Sequence, residues 1–120
     1  MHTRQEIPGF RSESASLNGV SLHYWIGGEP KGTPVLLWHG FLGTAYSWHM
    51  LMPLLADAGY RVLVPDMRGY GDSDKPAGDA GYDGVALAEE FRSLVAQIRF
   101  AAESPLTLIA HDMGAPPALL

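Results

Sequence analysis

Apolar and polar positions alternate along two neighbouring stretches, Arg11–Leu17 and Val20–Ile26, and Asn18-Gly19 separates them. A period of two suits strands, and Asn-Gly is the pair favoured in a two-residue type I′ turn, so the pattern predicts a β-hairpin. Gly27–Pro34 is a turn-rich link, after which the pattern changes kind. Val35-Leu36-Leu37-Trp38 is a continuous apolar run bounded by Pro34 and Gly40, and Tyr60–Pro65 and Leu106–Ala110 are two more. Such runs suit strands buried on both faces. Between them, Pro53–Ala58 ahead of Gly59 suits a short helix with proline in its first turn and glycine past its end. Leu87, Phe91, Leu94, Val95 and Ile98 fall at i, i+4, i+7, i+8 and i+11. They make one apolar helix face, with Glu89, Glu90, Arg92 and Arg99 mostly elsewhere.

Strands that alternate with helices require right-handed crossovers and a largely parallel sheet. The expected class is α/β, a mostly parallel sheet carrying an antiparallel hairpin at its N-terminal end, with residues 1–120 in one domain. Composition agrees. The 120 residues are 47% apolar and 18% charged and contain no cysteine, which excludes a disordered chain and a disulfide scaffold. Eight basic against thirteen acidic residues give a net charge of −5 without a basic patch, so no nucleic-acid partner is expected. No apolar run approaches the roughly 20 residues of a membrane span, and the start lacks the apolar stretch of a secretory signal. A cytoplasmic protein without a membrane partner is the expectation. The five histidines show no metal-ligand spacing, so neither a metal nor a cofactor is expected.

In an open parallel sheet, function collects at the carboxyl ends of the strands. Three segments belong there: His39-Gly40-Phe41-Leu42, Asp66–Pro76 and His111-Asp112-Met113-Gly114. The third has the form of a nucleophile elbow between a strand and a helix, with Ala110, Gly114 and Ala115 supplying the small neighbours that a sharp turn needs. Aspartate is also a favoured helix N-cap, but small residues on both sides and the earlier His39-Gly40 turn favour a nucleophile. A carboxylate with an ordinary pKa of about 3.9 is ionised at neutral pH and needs no base to attack. Attack on an ester would give a labile anhydride. At a saturated carbon bearing an epoxide oxygen or a halide it gives an ordinary ester, which water can then hydrolyse.

With these residues in view the chain resembles the α/β-hydrolase superfamily, in its epoxide hydrolase and dehalogenase branch. The resemblance rests on His39-Gly40-Phe41, Trp48 to Leu55, Arg68-Gly69-Tyr70-Gly71-Asp72-Ser73-Asp74-Lys75-Pro76 and His111-Asp112-Met113-Gly114. It implies Asp112 as nucleophile and the backbone N–H groups of Phe41 and Met113 as an oxyanion hole. His39, Gly40, His111 and Gly114 would shape the site. One such donor is typically worth about 10²–10³ in rate. The substrate implied is a small epoxide or halogenated compound, and the complete protein is compatible with a homodimer. Catalytic acid, histidine and cap tyrosines would follow residue 120, so the 120 residues are expected to be the N-terminal part of the domain, inactive alone.

Departures narrow the choice. Haloalkane dehalogenases typically carry side-chain N–H donors where this chain has Phe41 and Met113, which have none. Haloacetate dehalogenases typically follow the nucleophile with arginines, where this chain has Met113 and Pro116. Both favour epoxides over halides, although Leu42 stands where many epoxide hydrolases have proline. A non-catalytic binding homologue is the remaining alternative. Elsewhere, Gly71-Asp72-Ser73 resembles the start of a GDSL-type esterase, but Ser73 lies in a polar loop. Asp72, Asp74 and Lys75 read as a solvated turn. Trp38, Trp48 and Met52 read as core.

Overall fold

The computed structural model describes residues 6–17, 19–39, 44–75, 84–101 and 106–110. Their strands are β1 (Phe10–Leu17), β2 (Val20–Gly28), β3 (Pro34–Trp38), β4 (Arg61–Pro65) and β5 (Thr107–Ala110). Helix α1 (Leu51–Asp57) joins β3 to β4, and α2 (Gly84–Gln97) lies between β4 and β5. One sheet holds all five strands in the order β1-β2-β4-β3-β5. β2 runs antiparallel to both β1 and β4, whereas β3 runs parallel to β4 and β5.

Leu17 faces Val20 across the hairpin, which leaves two residues for the turn, as the Asn-Gly pair predicts; Asn18 lies outside the described residues. β1 keeps its alternation, with Ala15 and Leu17 buried and Ser14 and Ser16 exposed. β2 does not: Leu22 through Ile26 are all buried. The reason is position, because β2 lies inside the sheet. Leu22, Tyr24 and Ile26 pack into the cluster that holds Phe91 and Leu94 of α2, and Trp25 into the one that holds Met52 of α1. Residues 62–64 of β4 are wholly buried between these clusters, each side chain contributing roughly 1.5–3 kcal/mol relative to exposure.

The helices cover opposite faces for a topological reason. From β3 the chain moves to β4 on one side, and from β4 it passes back over β3 to β5 on the other. Right-handed crossovers in opposite directions place their helices on opposite faces.

Local chemistry ends the elements. Past α1, the N–H groups of Gly59 and Tyr60 donate to the carbonyls of Ala56 and Leu55, each at 3.1 Å, with Gly59 at φ +95°. This is the left-handed closure that favours glycine. α2 closes in the same way through Arg99 and Phe100, which donate to Ala96 and Val95, but its left-handed residue is Arg99 at φ +56°. A 3-10 turn at Ala45–Trp48, absent from the sequence reading, is held at its start by two bonds. The Thr44 hydroxyl accepts from Tyr46 N–H at 3.1 Å, and Ser47 Oγ accepts from Thr44 N–H at 3.2 Å.

Candidate active site

β3 and β5 end side by side, with Trp38 opposite Ala110 in a parallel register. The chain leaves β3 toward α1 on one face and reaches β5 from α2 on the other, so these two strands form a topological switch point. In open α/β sheets that is where ligand crevices form. His39 follows β3 directly, and Asp112 comes two residues after β5. Of the residues read as site-forming, His39 is among those described. Gly40, Phe41, His111, Asp112, Met113 and Gly114 lie outside them, as does Leu42.

His39 is fully buried, and its Nε2 accepts a hydrogen bond from the Met67 backbone N–H at 2.9 Å. A backbone N–H can only donate, so this bond assigns the ring proton to Nδ1. The lone pair that a general base would use is thereby engaged. The Tyr70 ring, 5.1 Å away centre to centre, packs beside the imidazole. His39 therefore ties the end of β3 to the residue after Asp66.

Asp66, just past β4, accepts three hydrogen bonds through its carboxylate. Its Oδ1 accepts from Ala45 N–H at 2.5 Å, and its Oδ2 accepts from His23 Nδ1–H at 2.7 Å and from Asp72 N–H at 3.2 Å. Burial alone would raise its pKa, but the hydrogen bonds from His23, Ala45 and Asp72 outweigh it and hold Asp66 below the ordinary carboxylate value. Gly71 sits directly on the carboxylate at φ +52°, where a Cβ would come within 2.4 Å of Asp66 Cγ. Only glycine fits. Asp66 and Met67 thus grip the chain on both sides of residues 40–43, at His39 and at Ala45.

The loop after β4 is fastened to its neighbours. Ser73 is buried, donates its hydroxyl to the Asp66 carbonyl at 2.7 Å and accepts from His23 N–H at 2.9 Å. Those bonds make it a strut between β2 and the loop rather than an esterase nucleophile. Asp74 caps the Ser21 N–H at 2.8 Å, and Lys75 Nζ donates to the Gly71 carbonyl at 2.7 Å, in keeping with a turn-stabilising role. Arg68 joins the loop to α2 through Glu90, with Nη2 to Oε2 at 2.6 Å and Nε to both carboxylate oxygens at 3.1 Å.

The His23–Asp66 pair was not recognisable in the sequence, since 43 positions separate the two residues. With Asp72 they bring three potential metal-ligand atoms within 4.8 Å of one another. His23 Nδ1, however, carries the proton donated to Asp66, so a metal there would have to displace it. Trp38 and Met52 are buried as core residues, and Trp48 is half-buried beside the α1 cluster. No described helix is long and apolar enough to cross a membrane.

Comparison with known proteins agrees with this architecture. The family model for the alpha/beta hydrolase fold matches residues 33–120, and the chain belongs to that family. Within it, epoxide hydrolase A of Mycobacterium tuberculosis is 44% identical over 98 residues, covering 82% of this chain and 30% of its own length. The crystal structure of Cfl2 from Burkholderia cenocepacia superposes with a TM-score of 0.82 at 38% identity, over 92% of this chain and 37% of that one. Epoxide hydrolase VrEH1 of Vigna radiata gives 0.83 at 31% identity, over 96% and 34%. Similar proteins also include a haloalkane dehalogenase of Mycobacterium marinum and a fluoroacetate dehalogenase of a Burkholderia species, 37% and 35% identical. The chain spans about a third of the length of the curated relatives it matches. The expected branch is the one found: a hydrolase family whose named members are epoxide hydrolases and dehalogenases.

Proposed function

We propose that the whole protein opens small epoxides to diols through a covalent ester on Asp112. The observation that carries this reading is the switch point, where β3 and β5 end side by side and Asp112 follows β5 by two residues. Asp112, as a carboxylate, attacks the less hindered epoxide carbon, and the ring C–O bond breaks toward the ring oxygen. A proton from an acid supplied by the rest of the protein completes the alcohol. Water then attacks the ester carbonyl, and the backbone N–H groups of Phe41 and Met113 stabilise the oxyanion that forms. His39 does not serve as base, because its Nε2 is engaged by Met67 N–H.

The dehalogenase relatives support a second reading, carbon–halogen cleavage by the same carboxylate. Phe41 and Met113 count against it, since neither side chain can donate a hydrogen bond to a departing halide. Asp112→Asn is expected to abolish burst and steady-state hydrolysis of an aryl epoxide together. Undiminished activity in freshly prepared Asn protein, with deamidation excluded by mass, overturns the assignment. Halide release from chloroalkanes of similar size at a comparable kcat/KM establishes the second reading instead.

A further inference from the structure

We propose that Ser12 is an activated nucleophile at a second site, independent of Asp112, which accepts acyl groups from neutral, activated esters of apolar acids. Ser12 on β1 faces Trp25 on β2, and His23 lies one diagonal step away on the same face of the hairpin. Ser12 Oγ is 2.6 Å from His23 Nε2, and His23 Nδ1 is 2.7 Å from Asp66 Oδ2. The carboxylate can only accept, so Nδ1 carries the proton. The Nε2 lone pair then faces the Ser12 hydroxyl, which donates to it. Nucleophile, base and orienting carboxylate thus stand in hydrogen-bond succession, the arrangement that activates a serine.

The base is well held. Trp25 meets the imidazole edge-on at 5.6 Å between ring centres, and the Ala45 and Asp72 N–H groups fix the carboxylate behind it. Ser12 also opens on a cavity of about 610 Å³ with Ile7, Phe10 and Trp25 among its walls and the exposed Glu6 among its lining residues. The Ile7, Phe10 and Trp25 side of this otherwise mixed cavity suits a hydrocarbon acyl chain. The glutamate disfavours a substrate carrying its own carboxylate.

In the step proposed, Ser12 Oγ bonds to the carbonyl carbon of an aryl ester while its proton passes to His23 Nε2. The C–O bond to the aryl oxygen breaks, and that oxygen leaves with the electron pair and takes the proton from His23. The products are a Ser12 ester and a free phenol.

The test is incubation of the whole protein with p-nitrophenyl butyrate. It should release a stoichiometric burst of p-nitrophenol and leave one butyryl group on the tryptic peptide running from Ser12 to Lys31. Ser12→Ala should abolish the adduct without altering epoxide hydrolysis, whereas Ser14→Ala and Asp112→Asn should retain it. His23→Gln, which puts an amide in place of the Nε2 end of the ring and so removes the base, should slow acylation by about 10²–10⁴-fold. The proposal is overturned if the folded protein gains no adduct there, or if the adduct survives Ser12→Ala. Acylation at an unchanged rate in folded His23→Gln overturns it equally. Should His23→Gln not fold, the Ser12→Ala and Ser14→Ala pair decides.

Discussion

Gly59 and Gly71 offer a matched pair of perturbations. Both have a left-handed backbone, but an added Cβ at Gly59 meets nothing within 4 Å, whereas at Gly71 it falls 2.4 Å from Asp66 Cγ and Oδ1. Gly59→Ala should therefore cost only the left-handed penalty, about 1–2 kcal/mol, partly offset by a stiffer unfolded chain. Gly71→Ala carries the same penalty and must also drive the carboxylate away from its donors. Two of those bonds, from Ala45 N–H at 2.5 Å and His23 Nδ1–H at 2.7 Å, are short and charge-assisted. At about 1.5–3 kcal/mol each, their loss brings the cost of Gly71→Ala to about 4 kcal/mol or more. Urea unfolding followed by tryptophan fluorescence reads both variants on one scale, with a slope of about 1–3 kcal/mol/M. Because the damage passes through Asp66, Gly71→Ala combined with Asp66→Asn should cost clearly less than the sum of the two alone. A Gly71→Ala protein within about 1 kcal/mol of Gly59→Ala, or strict additivity in the double variant, would refute the claim that this glycine exists to seat the carboxylate.

Other consequences are as direct. Asp66 binds its proton less readily folded than unfolded, so its contribution to stability is complete above about pH 5 and fades as pH falls past the unfolded value near 3.9; a melting series in acid should show a shallower decline for Asp66→Asn. His39→Gln can still accept from Met67 N–H and should keep near-native stability, while His39→Leu leaves that buried donor unpaired at a cost of about 1–3 kcal/mol by urea titration. Arg99→Gly should raise the unfolding free energy by about 0.5–1 kcal/mol, because relief of the left-handed strain exceeds the added freedom of the unfolded chain. A lower melting temperature for that variant would show that Arg99 makes a compensating contact.

Elements defined by local chemistry were legible in the sequence. Asn18-Gly19 marked the hairpin, Gly59 the end of α1, and the spacing of Leu87, Phe91 and Leu94 the buried face of α2. The burial of β2 on both faces was not, because it depends on β4 lying beside it and on helices covering both faces of the sheet. Thr44 and Ser47 do have the spacing of a capping box, yet with serine in place of the usual glutamate or glutamine the signal is weak. The candidate site divides along the same line. His39-Gly40 and the Asp112 turn stand out as short motifs at strand ends. Asp66 opens the strand-end segment 66–76, but His23 and Ser12 carry no motif, and the relation of the three exists only once β1, β2 and β4 are aligned.

The place of β4 between β2 and β3 also sets the order in which the chain can be assembled during synthesis. The hairpin is complete once residue 28 has emerged, but β3 makes no pair with it. It must wait until α1 has been made and the chain returns as β4, at Arg61. At roughly 5–20 residues per second, a strand that is buried at all five positions in the finished sheet spends on the order of seconds without a partner. During that interval residues 34–38 are the segment most open to mispairing with another nascent chain. Slowing translation between β3 and β4 should lower the soluble yield more than slowing it anywhere within the hairpin.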